Sequence, residues 1–277
     1  MILRSRFPRT VTILALAAVL PVLAAALPAQ AQNSPKSASA RATTPSAEFV
    51  RVAAAADLRP VMPVLAQRFE QQTGIKMEVS FGSSSTLATQ IINGAPFDLF
   101  LAADFTFPER VVAANLATEK APVPYARGVL VLWVPRNSSI APPTVEKLLN
   151  PAITRIAVAD ENHAPYGRAA YSALRAMKLL DSLQPKLVVA EDIAQAAQFV
   201  QSGNAQAGFL SLTLANSAPL RAAGDFARVP KLYPPIRQCA VLVKNSAHQA
   251  QAQQFLTWLL QPDIQGNLPK LGLDPAE

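Results

Sequence analysis

From Phe49 onward, short apolar runs of β character take turns with amphipathic segments, and this alternation limits the possible folds more than any other feature. Residues 49–53 read as a strand, 58–73 as a helix stopped by Gly74, and 76–80 as the next strand. Residues 86–93 then read as a helix and 98–102 as a third strand. Parallel neighbours can be joined only through a crossover, and the crossover must pack back on the sheet. This β-α-β-α-β order therefore predicts a parallel sheet with helices on both faces.

The run Val129-Leu130-Val131-Leu132-Trp133-Val134 is a strongly apolar strand, and a second α/β set follows it. Strands are expected at 156–158, 187–189 and 207–210, with helices at 168–178 and 193–201. Another apolar strand, 240–243, and a helix over 247–260 close the chain. The two apolar strands bracket the second set, as expected if the chain crosses to a second lobe and returns through a two-strand hinge. The predicted architecture is α/β and two-lobed, each lobe a mostly parallel sheet flanked by helices. Lobe 1 takes 48–128 and 236–277, and lobe 2 takes 129–235. Pro60 and Pro63 at the start of the first helix predict a local kink, because Pro63 removes an N–H that the helix would use.

Ahead of this lies an address. Arg4, Arg6 and Arg9 precede an apolar run over 11–27, and Ala29-Gln30-Ala31 then offers a small-x-small cleavage site. Residues 1–31 are read as a signal peptide, cleaved after Ala31, which exports the mature protein. The Ser/Pro/Ala/Thr-rich stretch 32–47 is read as a disordered linker. Cleavage removes three positive charges and no acid, leaving +4 of the +7 net charge. No basic run of the kind nucleic acid requires remains.

With one Cys and two His, the chain can hold neither a disulfide framework nor a structural zinc site. Cys239 is expected as a buried thiol in the apolar run 239–243. A serine nucleophile would need a base, and His163, in a loop beside the presumed cleft, is the one plausible choice. His248 falls on a polar stretch and is expected to be solvated. There is no Gly-x-Ser-x-Gly elbow, and the chain is read as a non-enzyme.

Four strand-to-helix junctions share small or polar residues: Ala55-Ala56-Asp57-Leu58, Gly82-Ser83-Ser84-Ser85-Thr86, Ala164-Pro165-Tyr166-Gly167 and Glu191-Asp192-Ile193. The first N–H groups of a helix have no intrahelical partner and sit at the positive end of its dipole. Several such ends aimed at one cleft bind an anion without any lysine or arginine. Asp57, Ser84 and Asp192 are also good N-caps in their own right.

The motifs Val52-Ala53-Ala54-Ala55-Ala56-Asp57-Leu58, Phe81-Gly82-Ser83-Ser84-Ser85-Thr86-Leu87-Ala88 and Gly94-Ala95-Pro96-Phe97-Asp98-Leu99-Phe100-Leu101-Ala102-Ala103-Asp104 carry a resemblance. Over roughly 49–273 the chain resembles the ModA-type periplasmic molybdate/tungstate-binding proteins of ABC transporters, in the type II solute-binding protein family. The resemblance implies a tetrahedral oxyanion, the only metal-bearing species, held between two lobes by hydroxyls and backbone N–H groups. It implies donation from the hydroxyl and N–H of Ser84, and from the backbone N–H groups of Tyr166 and Ile193, leaving the Tyr166 side chain free to vary. No cofactor is implied beyond the ligand, molybdate or tungstate. The partners implied are an inner-membrane permease and its ATPase, served by a monomer.

Two matched positions depart from the family. It usually has a serine at Asp57, and often a tyrosine at Ser211, where the shorter hydroxyl could still donate. A carboxylate about 4 Å from a dianion costs roughly 8 kcal/mol at an effective dielectric near 20. Asp57 therefore turns away to cap its helix, or is neutralised by a cation, Arg237 being the candidate, or meets a proton or positive group on the ligand. The third case corresponds to a different cargo, a protonated oxyanion or a small organic acid. Ser84→Ala is expected to weaken binding whatever the ligand is.

Overall fold

In the computed structural model, which describes residues 49–276, the alternation becomes two sheets flanked by helices. The leader expected over 1–31 and the linker expected over 32–47 lie outside the described residues. The first run comprises β1 (Phe49–Ala55), α1 (Met62–Thr73), β2 (Lys76–Gly82), α2 (Ser84–Ile92), β3 (Leu99–Ala102), α3 (Thr106–Ala113) and β4 (Val123–Gly128). The second opens with β5 (Leu130–Pro135), β6 (Ile156–Ala159), α4 (Pro165–Ala176), α5 (Leu180–Leu183) and β7 (Leu187–Ala190). It continues through α6 (Ile193–Gln201), β8 (Ala207–Ser211), α7 (Leu212–Ala215), α8 (Ala218–Ala223) and β9 (Gly224–Arg228). The chain closes with β10 (Ile236–Leu242), α9 (Gln249–Leu259), α10 (Pro262–Gln265) and β11 (Asp274–Pro275).

Strand order is β11-β4-β10-β3-β1-β2 in the first sheet and β7-β6-β8-β5-β9 in the second. The first sheet draws strands from both ends of the described chain, and the second only from its middle. The backbone passes between them at Val129 and at residues 229–235. The apolar runs 129–134 and 240–243 are not themselves the crossings: β5 and β10 each lie within one sheet.

Both sheets are mixed rather than mostly parallel. β1 pairs parallel with β2 and β3, and β6 with β7 and β8. The remaining pairs, β3–β10, β10–β4, β4–β11, β8–β5 and β5–β9, are antiparallel. β5 and β10 arrive straight from the other sheet, without the crossover helix that parallel pairing needs.

Sequence gave no reason to expect β4, because Pro124 cannot donate to a ladder. Opposite it, the register slips: Gln238 faces Ala126, while Cys239 faces Pro124. Tyr125 is thus the extra residue of a bulge, which accommodates the proline and re-aims the tyrosine.

The first sheet is covered on both faces. Val50, Val52 and Ala54 of β1 join a core with Phe69 of α1 and Phe255 and Trp258 of α9. Ala53 joins a second core with Leu87 and Ile91 of α2 and Val111 of α3. Burial on both faces explains why these strands read as continuous apolar runs. The first helix begins at Met62, later than expected, and Pro63 falls in its first turn, where a proline N–H is not needed. Pro63 therefore costs the helix no hydrogen bond, and residues 56–58 form a separate short 3-10 turn. Among the described residues, no helix is long and apolar enough to cross a membrane.

Candidate functional site

Register fixes where the site forms. β1 and β2 pair from Phe49 opposite Lys76 to Ala55 opposite Gly82, and Ala54 also faces Leu101 of β3. The three strands end nearly level, so the turns after them lie side by side. In the second sheet, Ala159 of β6 faces Ala190 of β7 in the same way. Between these two sets of carboxyl ends lies a small pocket lined by Asp57, Ser84, Tyr166, Asp192 and Ile193 among others. Ligands of open α/β sheets bind at such an edge. A larger groove at the crossings, lined by Arg127, Lys231, Tyr233 and Asp274 among others, contains none of the sequence-predicted site residues.

Three helices start at the pocket, two of them earlier than sequence suggested. α2 begins at Ser84, with Ser83 rather than Ser84 as its cap: the Ser83 hydroxyl accepts the Thr86 N–H at 3.1 Å. The Ser84 hydroxyl oxygen accepts the Ala103 N–H at 3.0 Å, which leaves its hydrogen free to donate. α4 begins at Pro165, which puts the Tyr166 N–H in the first turn. At α6, the Asp192 carboxylate accepts the N–H groups of Ala194 and Gln195, both at 2.9 Å. The Ile193 N–H, ahead of both, is left for the pocket. Ser84, Tyr166 and Ile193 thus stand in the first turns of three helices that line the pocket, where backbone N–H groups have no intrahelical partner.

Asp57 does not cap a helix. Its side chain is fully buried, and Oδ2 accepts the Tyr166 hydroxyl at 3.1 Å and the Gln238 amide at 2.5 Å. The Gln238 amide also donates to the Tyr166 hydroxyl at 3.2 Å, and its oxygen accepts the Tyr125 hydroxyl at 2.9 Å. The bulge at Tyr125 is what brings that hydroxyl inward. Oδ1 of Asp57 is buried without a hydrogen-bond partner. Burial pushes the carboxyl up from 3.8 to about 7, against the opposing effect of the Gln238 and Tyr166 donors, and the Asp192 charge adds to the rise. Burial beside Asp57 also holds the Tyr166 and Tyr125 hydroxyls well above their ordinary range.

The cation expected beside Asp57 is not there. Arg237 is exposed on β10 and lines a different surface pocket, while its neighbour Gln238 turns inward. Along a strand, successive side chains face opposite ways. Ser211 is not brought to the pocket either. Its hydroxyl pairs with Thr213 at 2.8 Å and caps α7 by accepting the Leu214 N–H at 3.3 Å. Thr213 spends its own hydrogen on the Asp57 carbonyl, at 2.6 Å, so Ser211 is the donor in the pair and has none left. The Tyr166 side chain, at a position where the resemblance leaves the side chain free to vary, bridges the lobes. Gln238, Tyr125 and Thr213 were not singled out from sequence; a lone glutamine in the apolar run of β10 was the available signal.

Close packing holds Tyr166 in place. A Cβ added to Gly128 would collide with the Tyr166 hydroxyl and the Ile236 side chain. Gly128→Ala is expected to displace that hydroxyl from Asp57 and to destabilise the protein by about 1–3 kcal/mol, measurable by denaturant titration.

The histidines form no nucleophile–base pair. His163 meets Asp160 at 3.0 Å, and among the described residues no hydrogen bond joins its ring to a serine. His248, expected to be solvated, is instead part-buried against Phe49 at 4.3 Å and Asp98 at 3.3 Å. Burial pushes the Cys239 thiol up to about 12.

Residues 50–274 match the family of bacterial extracellular solute-binding proteins. The chain belongs to that family. It is 33% identical to the molybdate-binding protein ModA of Rhodobacter capsulatus, over 97% of this chain and 98% of that protein. It is 37% identical to the ModA of Azotobacter vinelandii, over 77% of this chain and 84% of the relative. The solved structure of the periplasmic molybdate-binding protein of Azotobacter vinelandii superposes with a TM-score of 0.76 at 32% identity. That match covers 82% of this chain and all of the other. In this solute-binding protein the rim is fastened by Arg168 of α4, which donates to Asp104 across the lobes at 2.9 Å. Burial raises the Asp104 carboxyl more than Arg168 lowers it.

Proposed function

We propose that this solute-binding protein captures molybdate, or tungstate, outside the cytoplasmic membrane and delivers it to an ABC importer. The observation that carries the reading is the pocket between the lobes, where the starts of α2, α4 and α6 and the Ser84 hydroxyl converge. Such a set of donors suits a small anion whose oxygens all accept hydrogen bonds. The molybdenum of a tetraoxo anion is enclosed by its own oxygens, so it would be held through them and would meet no protein ligand. The names of the relatives, matched over most of the chain, support molybdate as the cargo. They do not favour a protonated oxyanion or organic acid, the alternative raised by Asp57.

The protein acts as a binder rather than a catalyst, needs no cofactor beyond its ligand, and works as a periplasmic monomer after loss of the leader. Closure of the lobes by bending at Val129 and 229–235 presents a joined surface to the permease, which works with its ATPase. Tyr166 on Asp57, Thr213 on the Asp57 carbonyl and Arg168 on Asp104 fasten the closed form. Calorimetric titration with molybdate, tungstate, sulfate and phosphate at neutral pH tests the reading. Heat with molybdate or tungstate, and not with the other two, is expected; silence with all four would move the cargo elsewhere.

A further inference from the structure

We infer that Asp57 takes part in capture as a neutral carboxylic acid. Oδ1 carries the proton and donates it in a hydrogen bond to a ligand oxygen, so at alkaline pH each dianion bound takes up close to one proton from solution. The inference rests on the oxyanion reading of the pocket.

The two oxygens of Asp57 have different surroundings. Oδ2 already accepts from Tyr166 and Gln238, so it has no need of a proton. Gln238 is held in that sense by Tyr125, whose hydroxyl engages the amide oxygen and turns the NH2 group toward Asp57. Oδ1 is buried and unpartnered, on a residue that lines the pocket. If ionised, it would set an acceptor and a negative charge against an anion that has only acceptors to offer. Once protonated, the same atom becomes one more donor, and its charge disappears.

The surroundings favour the acid form. Asp192, capping the α6 helix that packs on the 56–58 turn, brings a second negative charge. Tyr166 from α4 and Tyr125 from β4 stay neutral hydroxyls. β2 ends beside the turn with Phe81 and Gly82, its Lys76 and Glu78 lying toward the other end of the strand. α7 contributes Thr213, which is bonded to the Asp57 carbonyl rather than the carboxyl. Arg59, two residues on, is exposed and stacks over the Phe81 ring at 5.1 Å. A carboxyl pushed up to about 7 takes its proton readily at neutral pH.

The balance is one ionised Asp57, one proton from buffer and one dianion giving one complex with a neutral Asp57. Molybdate is titrated calorimetrically into the purified protein between pH 6 and pH 9, in buffers of differing ionisation enthalpy. The association constant is expected to fall about 100-fold over that range, approaching tenfold per pH unit above 7. Close to one proton per anion should be taken up at pH 8.5. Asp57→Asn can offer its amide to the pocket while its oxygen keeps the Tyr166 and Gln238 bonds. It should bind with nearly level affinity across the range and without proton uptake. Asp57→Ser, a smaller donor that does not titrate, should also lose the slope and guards against misfolding of the first variant. A level wild-type profile, or a slope that survives in both variants, would overturn the inference. Absence of molybdate binding at pH 6 in all three proteins would overturn the cargo reading, and this inference with it.

Discussion

Asp57→Asn is expected to stabilise the ligand-free protein at pH 8 and to leave its stability nearly unchanged at pH 4. In the folded chain the Asp57 carboxyl is pushed up from 3.8 to about 7, chiefly by burial. Below pH 4 the group is protonated whether folded or unfolded, and so contributes no difference. Between pH 4 and 7 the unfolded chain releases the proton while the folded chain still holds it, so unfolding becomes progressively easier. Above pH 7 the loss is complete, at about 4 kcal/mol for a shift of this size. The Asn variant never ionises and escapes that loss. Melting curves at both pH values check this, and a gain on the order of 10 °C is expected at pH 8 alone. An equal gain at both would mean that the wild-type burden is steric rather than electrostatic.

The same residue explains how far the sequence could be read. The pattern of short strands and helices was enough for β1, β2, β3, β6, β7 and β8: the central strands β1, β3, β6 and β8 are almost wholly buried and read as apolar runs, while the edge strand β2 alternates exposed with half-buried residues. The junction motifs pointed to helix starts near Ser84, Tyr166 and Ile193, and the resemblance named these three amides; the helices do begin there, two of them earlier than the apolar pattern implies. What escaped was the polar network inside. Asp57, Tyr125, Tyr166 and Gln238 come from four separate elements, and only the folded chain brings them together. Arg237 has the charge to partner Asp57 but stands one residue from Gln238, which meets it, and on a strand one residue reverses the face. Ser211 failed for a local reason: Thr213, two residues on, takes up its hydrogen, and its oxygen caps α7. The strand carrying Tyr125 was hidden by Pro124, which only a bulge could accommodate.

Ser84→Ala should show two separable losses, because the hydroxyl has two uses. Its oxygen accepts the buried Ala103 N–H at 3.0 Å, tying the start of α2 to the end of β3. Deleting it leaves that amide without a partner, a cost of about 1–3 kcal/mol to the folded state with or without ligand. Its hydrogen is the one left to face the anion, and a hydrogen bond to a charged acceptor contributes about 1.5–3 kcal/mol, or roughly 10- to 150-fold in affinity. Ser83→Ala supplies the comparison. The Ser83 hydroxyl caps α2 through the Thr86 N–H and donates to the Thr86 hydroxyl at 2.8 Å, so none of its hydrogen is left for a ligand. That variant should lose about 0.5–2 kcal/mol of stability and only a small part of its affinity. Equal losses of affinity in the two variants would mean that the placement of the helix start carries the binding, and that the Ser84 hydroxyl does not.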